Sequence, residues 1–143
     1  MARIKIQLPK KFNFKTEMKV RVSNVNYGGH LGNDSVLAIC HEARMRFLAM
    51  GGFTEKNIEN SGLIMIDAAL QYKSESFYGD LLLIEVAVDN ITKIGCDFYY
   101  KITNKTNNKI AAIAKTGTAF FDYTERKITP APQSFIEFIE SLN

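Results

Sequence analysis

The sequence predicts an α+β domain in which an antiparallel sheet of about five strands wraps around one long central helix. Three observations predict this class: an alternating strand pattern near residue 20, a broad apolar helical stripe over residues 34–50, and four long strand patterns further on. Long consecutive strands favour an antiparallel meander, and a helix with a broad apolar face packs against a sheet. With 143 residues, 46% of them hydrophobic, residues 1–143 fit a single domain with a substantial core.

The first strand is indicated by the run MKVRVS at residues 18–23. Apolar and polar residues alternate along it, which is the period of a half-buried strand. The strand leads directly into a glycine-rich loop, and the predicted helix follows that loop. The loop is therefore expected to be anchored at both ends.

The central helix is predicted over residues 34–50. Its apolar side chains form one stripe with a margin beside it: Val36, Cys40, Ala43, Phe47 and Met50 in the stripe, and Leu37, Ile39 and Leu48 at the margin. Gly51 and Gly52 supply the stop. The polar segment TEKNIENSG, residues 54–62, is a candidate for a short second helix before the strands begin.

Four strands are predicted in the remainder of the chain. They lie at about residues 63–73, 80–92, 96–104 and 109–122, with turn residues between them. The closing segment places four apolar residues at the spacing i, i+3, i+4 and i+7, so we expect a short amphipathic C-terminal helix that covers one side. These residues are Phe135, Phe138, Ile139 and Leu142.

The stretch from Ser23 to Leu48 carries most of the functional signal. Its glycines allow positive φ and close approach of another molecule, and Asn33, Asp34 and Ser35 are all plausible helix N-caps. The first N–H groups of a helix lack intrahelical partners and lie at the positive end of its dipole, so they can stabilise a developing oxyanion. A histidine beside such a helix start suits carbonyl chemistry.

Three motifs resemble the hotdog-fold acyl thioesterases of the 4-hydroxybenzoyl-CoA thioesterase type. They are the Asn-x-Asn-Tyr-Gly-Gly-His run at residues 24–30, the helical Glu42-Ala43-Arg44, and Tyr78-Gly79-Asp80 after a later strand. The resemblance covers nearly the whole chain. It implies a hotdog fold, hydrolysis of an acyl-CoA or acyl-carrier thioester without a cofactor, and a homodimer or homotetramer with sites between subunits.

The chain departs from this family pattern at Asn26. Many relatives have an aspartate there, and in some of them it is the catalytic carboxylate. A carboxamide cannot act as a carboxylate nucleophile or base, although it can donate two hydrogen bonds. The simplest mechanism of the family therefore does not carry over directly.

Four residues are candidates for catalysis, and each has a structural alternative. His30 can act as the base that activates water, or can merely bind a main-chain carbonyl. Asp34 can cap the helix, or can orient His30 or the water. The resemblance implies a catalytic role for Glu42, since carboxylates on this helix are catalytic in some relatives. The structural alternative for Glu42 is an ion pair with Arg46. Asn26 can hold substrate or water, or support the loop in an Asx turn.

Four further positions are candidates for substrate binding. The resemblance places the Asn33 amide where a helix-start N–H polarises the thioester carbonyl, with Gly32 and Tyr27 beside it in the loop. Asp67 interrupts the apolar run LIMIDAAL, so its carboxylate must face solvent or have a partner. If its strand borders a subunit interface, Asp67 can also enter the partner's site.

Composition bounds the ligands and the compartment. The net charge of +3 suits an anionic ligand but falls short of a nucleic-acid-binding protein. Basic residues near strand ends, if not simply solvated, are candidates for CoA phosphates: Lys93, Lys115, Arg126 and Lys127. No metal-ligand spacing such as HExxH occurs, so no metal is expected.

The cysteines and the apolar runs bear on where the protein is located. Two cysteines without a pairing pattern, no signal-peptide core and no membrane-length apolar run predict a cytoplasmic protein without a membrane span.

A non-catalytic acyl-CoA or acyl-carrier binding protein is the main alternative to a thioester hydrolase, because Asn26 replaces the expected carboxylate. A hotdog dehydratase or hydratase is a weaker one.

Overall fold

The computed structural model describes residues 1–143 and contains one six-stranded antiparallel sheet and two α-helices. The strands are β1 (Phe14–Lys19), β2 (Gly62–Tyr72), β3 (Leu81–Asp89), β4 (Gly95–Asn104), β5 (Lys109–Asp122) and β6 (Lys127–Ile128). The helices are α1 (Asn33–Met50) and α2 (Gln133–Ser141), and a 3₁₀ turn covers Val22–Asn24. The sheet order is β1-β3-β4-β5-β2, with β6 beside β5. The predicted architecture is confirmed.

Helix α1 packs its apolar stripe against the inner face of the sheet. Phe47 is the centre of this contact, because its ring lies 5.6 Å from that of Phe14, 6.1 Å from that of Phe98 and 5.5 Å from that of Phe138. The helix, the sheet and α2 thus meet at one side chain. Helix α2 itself buries Phe135 and Ile139, as its spacing predicts.

Met50 of the predicted stripe and Leu37 at its margin are not core residues. Met50 is 49% exposed and Leu37 is 41% exposed. Helix α1 contacts the sheet along one side only, so the broad apolar face extends past the contact. Leu37 instead lines a cavity described below.

The segment at residues 54–62 forms turns with two isolated bridges rather than the short helix considered above. Local side-chain bonds and backbone angles explain the difference. Thr54 Oγ1 accepts a hydrogen bond from the N–H of Asn57 at 3.1 Å, and Glu59 and Asn60 have positive φ. Short polar side chains that bond the nearby backbone favour turns over helix.

The first strand was predicted at residues 18–23 but spans Phe14–Lys19. The chain leaves the sheet earlier because Asn24 Oδ1 accepts a hydrogen bond from the N–H of Arg21 at 2.8 Å and starts the 3₁₀ turn. Strand β6 was not predicted, since its two residues carry no periodic signal.

The two edges of the sheet differ in character. Strand β1 alternates half-buried residues with exposed Lys15, Glu17 and Lys19, which are charges that discourage pairing with another strand. Strand β2 pairs only with β5, and Met65 and Ile66 are exposed near its free edge. No helix of this structure has the length and apolar character needed to cross a membrane.

Candidate active site at the start of the central helix

The glycine-rich loop is closed by its own backbone. The N–H of Asn26 bonds to the carbonyl of His30 at 2.9 Å, and the N–H of Gly32 bonds to that of Asn24 at 2.9 Å. Gly29 has a φ of 82°, a conformation that glycine adopts without strain. The loop therefore holds His30 close to the first turn of α1.

The first amide of α1 is an available donor. Gly32 is the N-cap and offers no side-chain cap, so the predicted capping by Asn33, Asp34 or Ser35 does not occur. The N–H of Ser35 bonds to the carbonyl of Gly32 at 3.1 Å, whereas the N–H of Asn33 has no acceptor in the protein. This amide lies at the positive end of the helix dipole, where it can bind an oxyanion.

A cavity of about 620 Å³ opens beside this amide, and we call it the loop cavity. Its wall contains Asn26, Tyr27, His30, Asn33 and Tyr72. The Tyr72 hydroxyl lies 3.4 Å from the carbonyl oxygen of Asn33, which ties the end of β2 to the helix start. Four of the eight predicted site residues therefore share one cavity.

His30 has little support from other side chains. Its Nδ1 lies 3.4 Å from the carbonyl oxygen of Leu31, and its Nε2 has no hydrogen-bond partner. The His30 backbone forms an isolated bridge with Phe77, which fixes the position of the residue at the cavity wall. The ring is half-buried and is not bonded to a carboxylate.

Asn26 supports the glycine-rich loop, which is the structural alternative considered for it. Its Oδ1 accepts a hydrogen bond from the N–H of Gly28 at 2.9 Å, which is an Asx turn. Its side-chain nitrogen has no bond partner in the protein, so two donors stay available at the cavity wall.

A second cavity, of about 750 Å³, runs between α1 and β2, and we call it the seam cavity. Asp34, Leu37, His41 and Arg44 line it from one face of the helix, and Glu55 lines it from the turn segment. Asp34 and His30 thus line different cavities and are not hydrogen-bonded. The Asp34 carboxylate instead lies against Gly32, since a Cβ added there would be 2.6 Å from Asp34 Oδ1.

A buried polar chain crosses the inner end of the seam cavity. Arg44 is only 4% exposed; it donates from Nε to Glu55 Oε1 at 3.0 Å and from Nη1 to the Tyr100 hydroxyl at 2.8 Å. The Tyr100 hydroxyl in turn bonds to that of Thr116 at 2.9 Å, and His41 Nε2 lies 3.1 Å from Glu55 Oε1. Every fully buried side-chain nitrogen and oxygen in the structure has a partner.

The two partners of Arg44 stabilise its charge. Burial alone would lower the pKa of Arg44, but Tyr100 and Glu55 outweigh burial and raise it. Burial raises the pKa of Tyr100 to about 12, against the effect of the Arg44 charge. Arg44 is therefore a fixed cation, and Tyr100 stays a neutral hydroxyl. Sequence reasoning missed this chain; a charged residue directly after the stripe residue Ala43 was its one signal.

Glu42 lies outside both cavities. It forms an ion pair with Arg46 at 2.8 Å, and Arg46 also donates to Thr16 Oγ1 on β1 at 2.7 Å. Glu42 and Arg46 border a different groove, between α1 and β1. The arrangement matches the structural alternative for Glu42.

We therefore expect Glu42→Gln to change the turnover of this protein less than about twofold, because an exposed i,i+4 ion pair contributes only a few tenths of a kcal/mol. Steady-state kinetics of the purified variant measures this directly. A large loss of kcat with an unchanged melting temperature would instead give Glu42 a chemical role.

Asp67 is paired on the outer face of the sheet. It accepts hydrogen bonds from Lys115 Nζ at 2.8 Å and from the N–H of Gly117 at 3.0 Å. The bond to Lys115 lowers the pKa of Asp67, although partial burial opposes this. Lys115 also contacts Asp97 at 3.3 Å, so its charge is already matched. Among the other predicted phosphate ligands, Lys127 pairs with Glu125 at 2.7 Å.

An antiparallel sheet that wraps around one central helix is the hotdog architecture. The family model of the thioesterase-like superfamily matches residues 20–139 of the chain. The protein therefore belongs to the thioesterase-like superfamily. No curated protein matches the sequence significantly.

Solved structures resemble most of the chain. A 1,4-dihydroxy-2-naphthoyl-CoA thioesterase from Synechocystis is 23% identical with a TM-score of 0.82, covering 90% of this chain and 96% of its own. A Staphylococcus aureus protein in complex with CoA is 17% identical with a TM-score of 0.82, covering 96% and 87%. The probable thioesterase YbaW from Escherichia coli is 19% identical with a TM-score of 0.73, covering 90% and 97%. These likenesses show the fold.

Proposed function

We propose that this protein hydrolyses acyl-CoA thioesters at the start of α1. The observation that carries the proposal is the convergence of Asn26, His30 and the unpaired Asn33 amide on the loop cavity. Tyr27 and Gly32 form the surrounding wall and backbone of this site. The side chains offer a base, hydrogen-bond donors and an oxyanion position within one short stretch of chain.

The proposed chemistry is a direct attack by water. His30 Nε2, which has no protein partner, takes a proton as the water oxygen bonds to the carbonyl carbon. The carbonyl oxygen becomes an oxyanion that accepts from the Asn33 N–H, a donor whose loss typically costs about 2.7 to 4 kcal/mol. The carbon–sulfur bond then breaks, and the proton on His30 returns to the leaving thiolate. The products are the free acid and the thiol.

CoA is the proposed carrier of the acyl group. The chain carries a net charge of +3, which suits an anionic ligand. The Staphylococcus aureus relative was solved with CoA, and the Synechocystis relative is a CoA thioesterase. A cytoplasmic location stays a prediction from the sequence.

A non-catalytic acyl-CoA or acyl-carrier binding protein is the second candidate. Asn26 supplies no carboxylate, and no carboxylate orients His30, so the site lacks two parts that hydrolases often have. A thiol-release assay over a panel of acyl-CoAs decides between the two functions. Turnover supports hydrolysis, whereas saturable binding without thiol release supports the binding protein.

We further propose a homodimer or homotetramer that forms along the free edge of β2. Ile66 is 60% exposed and Met65 is also exposed there, in a strand with no second neighbour. An exposed apolar strand edge is a template for pairing, whereas the charged edge of β1 is not. We expect a dimer or larger assembly at micromolar concentration by light scattering, and a monomer after Ile66→Lys. A monomeric wild-type protein would contradict the proposal.

We expect Asn26→Asp not to raise kcat by more than a few-fold. Asn26 and Asp34 flank Gly32, so a second carboxylate at position 26 would lie near the first. Two close carboxylates repel, and the pKa of one of them rises. The pH profile of kcat for this variant measures the effect. A many-fold gain that follows the titration of the new acid would show that the helix-start site works best with its own carboxylate.

A further inference from the structure

The buried guanidinium of Arg44 has an unused donor. Nε and Nη1 bond to Glu55 and Tyr100, but Nη2 has no hydrogen-bond partner in the protein. No fully buried side-chain nitrogen lacks a partner, so Nη2 is open to the seam cavity that Arg44 lines. A charged donor so nearly buried needs an acceptor when the cavity fills.

The surroundings of Nη2 select the kind of acceptor. Glu55 lies against the guanidinium, and Asp34 lines the same cavity without an ion-pair partner. Glu55 already balances the Arg44 charge, as Lys115 balances the charge of Asp67. The Asp34 charge is left over, and it opposes an incoming anion. A plain alkyl group would displace water from Nη2 without replacing the hydrogen bond that the water accepts. A neutral oxygen, as in a hydroxyl or a ketone, meets both conditions.

The position of Arg44 relates this donor to the proposed reaction site. Both cavities lie along the seam between α1 and β2, with Asn33 and Tyr72 at one end and Arg44 and Leu63 at the other. Arg44 lies eleven positions after Asn33, which is roughly 16 Å along a helix. Leu37, Ala38, Ile64 and Met65 provide an apolar wall between the ends.

We propose that the seam cavity takes the distal part of a long acyl group that carries a neutral hydroxyl or ketone oxygen, bound by Arg44 Nη2. The inference rests on the proposed function, because it requires a thioester held at Asn33. Leu37, an exposed apolar residue that the core does not use, then contacts the acyl chain. An acetyl group is too short to reach Arg44.

The first test compares three thioesters with wild-type protein: decanoyl-CoA, ω-hydroxydecanoyl-CoA and the ω-carboxy analogue. We expect the ω-hydroxy substrate to exceed decanoyl-CoA in kcat/KM by about tenfold, as one hydrogen bond to a charged donor provides. We expect the ω-carboxy substrate to have a lower kcat/KM than the ω-hydroxy substrate. Equal or faster hydrolysis of decanoyl-CoA would overturn the inference.

Two variants separate the roles of donor and charge. Glu55→Gln keeps an acceptor for Arg44 but removes one carboxylate, so we expect the ω-carboxy substrate to gain several-fold relative to the ω-hydroxy one. Glu137→Gln, an exposed position on α2, is the matched control and should change neither ratio. Arg44→Lys keeps the charge but lacks Nη2, so it should make the ω-hydroxy and decanoyl substrates equal. If it does not fold, the wild-type ratios and Glu55→Gln still decide.

A binding experiment distinguishes a failure of this inference from a failure of the proposed function. If no thioester is hydrolysed, the proposed function fails, and titration calorimetry with the same three thioesters measures the seam cavity alone. Tighter binding of the ω-hydroxy ligand, lost in Arg44→Lys, supports the inference. Equal binding of the ω-hydroxy and alkyl ligands overturns it.

Discussion

His30→Ala is expected to lower kcat for acyl-CoA hydrolysis by at least about a hundredfold, with little change in KM. A positioned general base typically contributes a factor of this size or larger. His30 is the titratable side chain of the loop cavity that lies nearest in sequence to the unpaired Asn33 amide. The substrate still binds in the variant, because the Asn33 donor and the cavity wall stay in place. Steady-state kinetics of thiol release measures both constants.

The control for this variant is its stability. His30 is half-buried and makes only one long contact, so the melting temperature should change little. A variant that melts like the wild type but has lost turnover assigns the loss to the chemical step. An unchanged kcat would make His30 structural and leave Asp34 as the remaining candidate for the base.

Phe47→Ala is expected to destabilise the fold by about 3 to 5 kcal/mol, the range for a buried aromatic residue cut back to alanine. Phe47 is 1% exposed and contacts rings from β1, β4 and α2. Its loss therefore leaves a cavity that three elements would have to close together. The midpoint and slope of urea unfolding measure the change.

Met50→Ala is the matched control, one turn further along α1. Because Met50 is largely exposed, this change should cost no more than about 0.5 kcal/mol. A loss below about 1 kcal/mol for Phe47→Ala would contradict the packing of α1 against the sheet described above.

The fold could be predicted well because its signals are local and periodic. The stripe of α1 and the long strands β4 and β5 begin and end close to the predicted residues. The prediction was wrong where a few polar side chains decide the backbone, as at Asn24 after β1 and in the turns at residues 54–62. Such contacts join residues close together in the chain, but they produce no periodic pattern in the sequence.

Some residues of the candidate site could likewise be predicted from the sequence, and others could not. Asn26, His30 and Asn33 lie within eight residues, so one loop brings them to a single cavity. The partners of Arg44 could not be predicted, since Glu55 is 11 residues away and Tyr100 is 56. Their contact depends on how the helix crosses the sheet. The sequence also could not separate Asp34 from His30, because the rotation of the helix relative to the loop is a tertiary property.

The most direct test of acyl-CoA hydrolysis at the helix start is a crystal structure with an acyl-CoA analogue in which a methylene group replaces the thioester sulfur. This ketone keeps the carbonyl and cannot be hydrolysed. We predict its carbonyl oxygen at about 2.7 to 3.1 Å from the Asn33 amide nitrogen, the distance of an oxyanion-hole donor, with His30 beside the carbonyl carbon. A carbonyl bound elsewhere, out of reach of both Asn33 and His30, would contradict the proposed site.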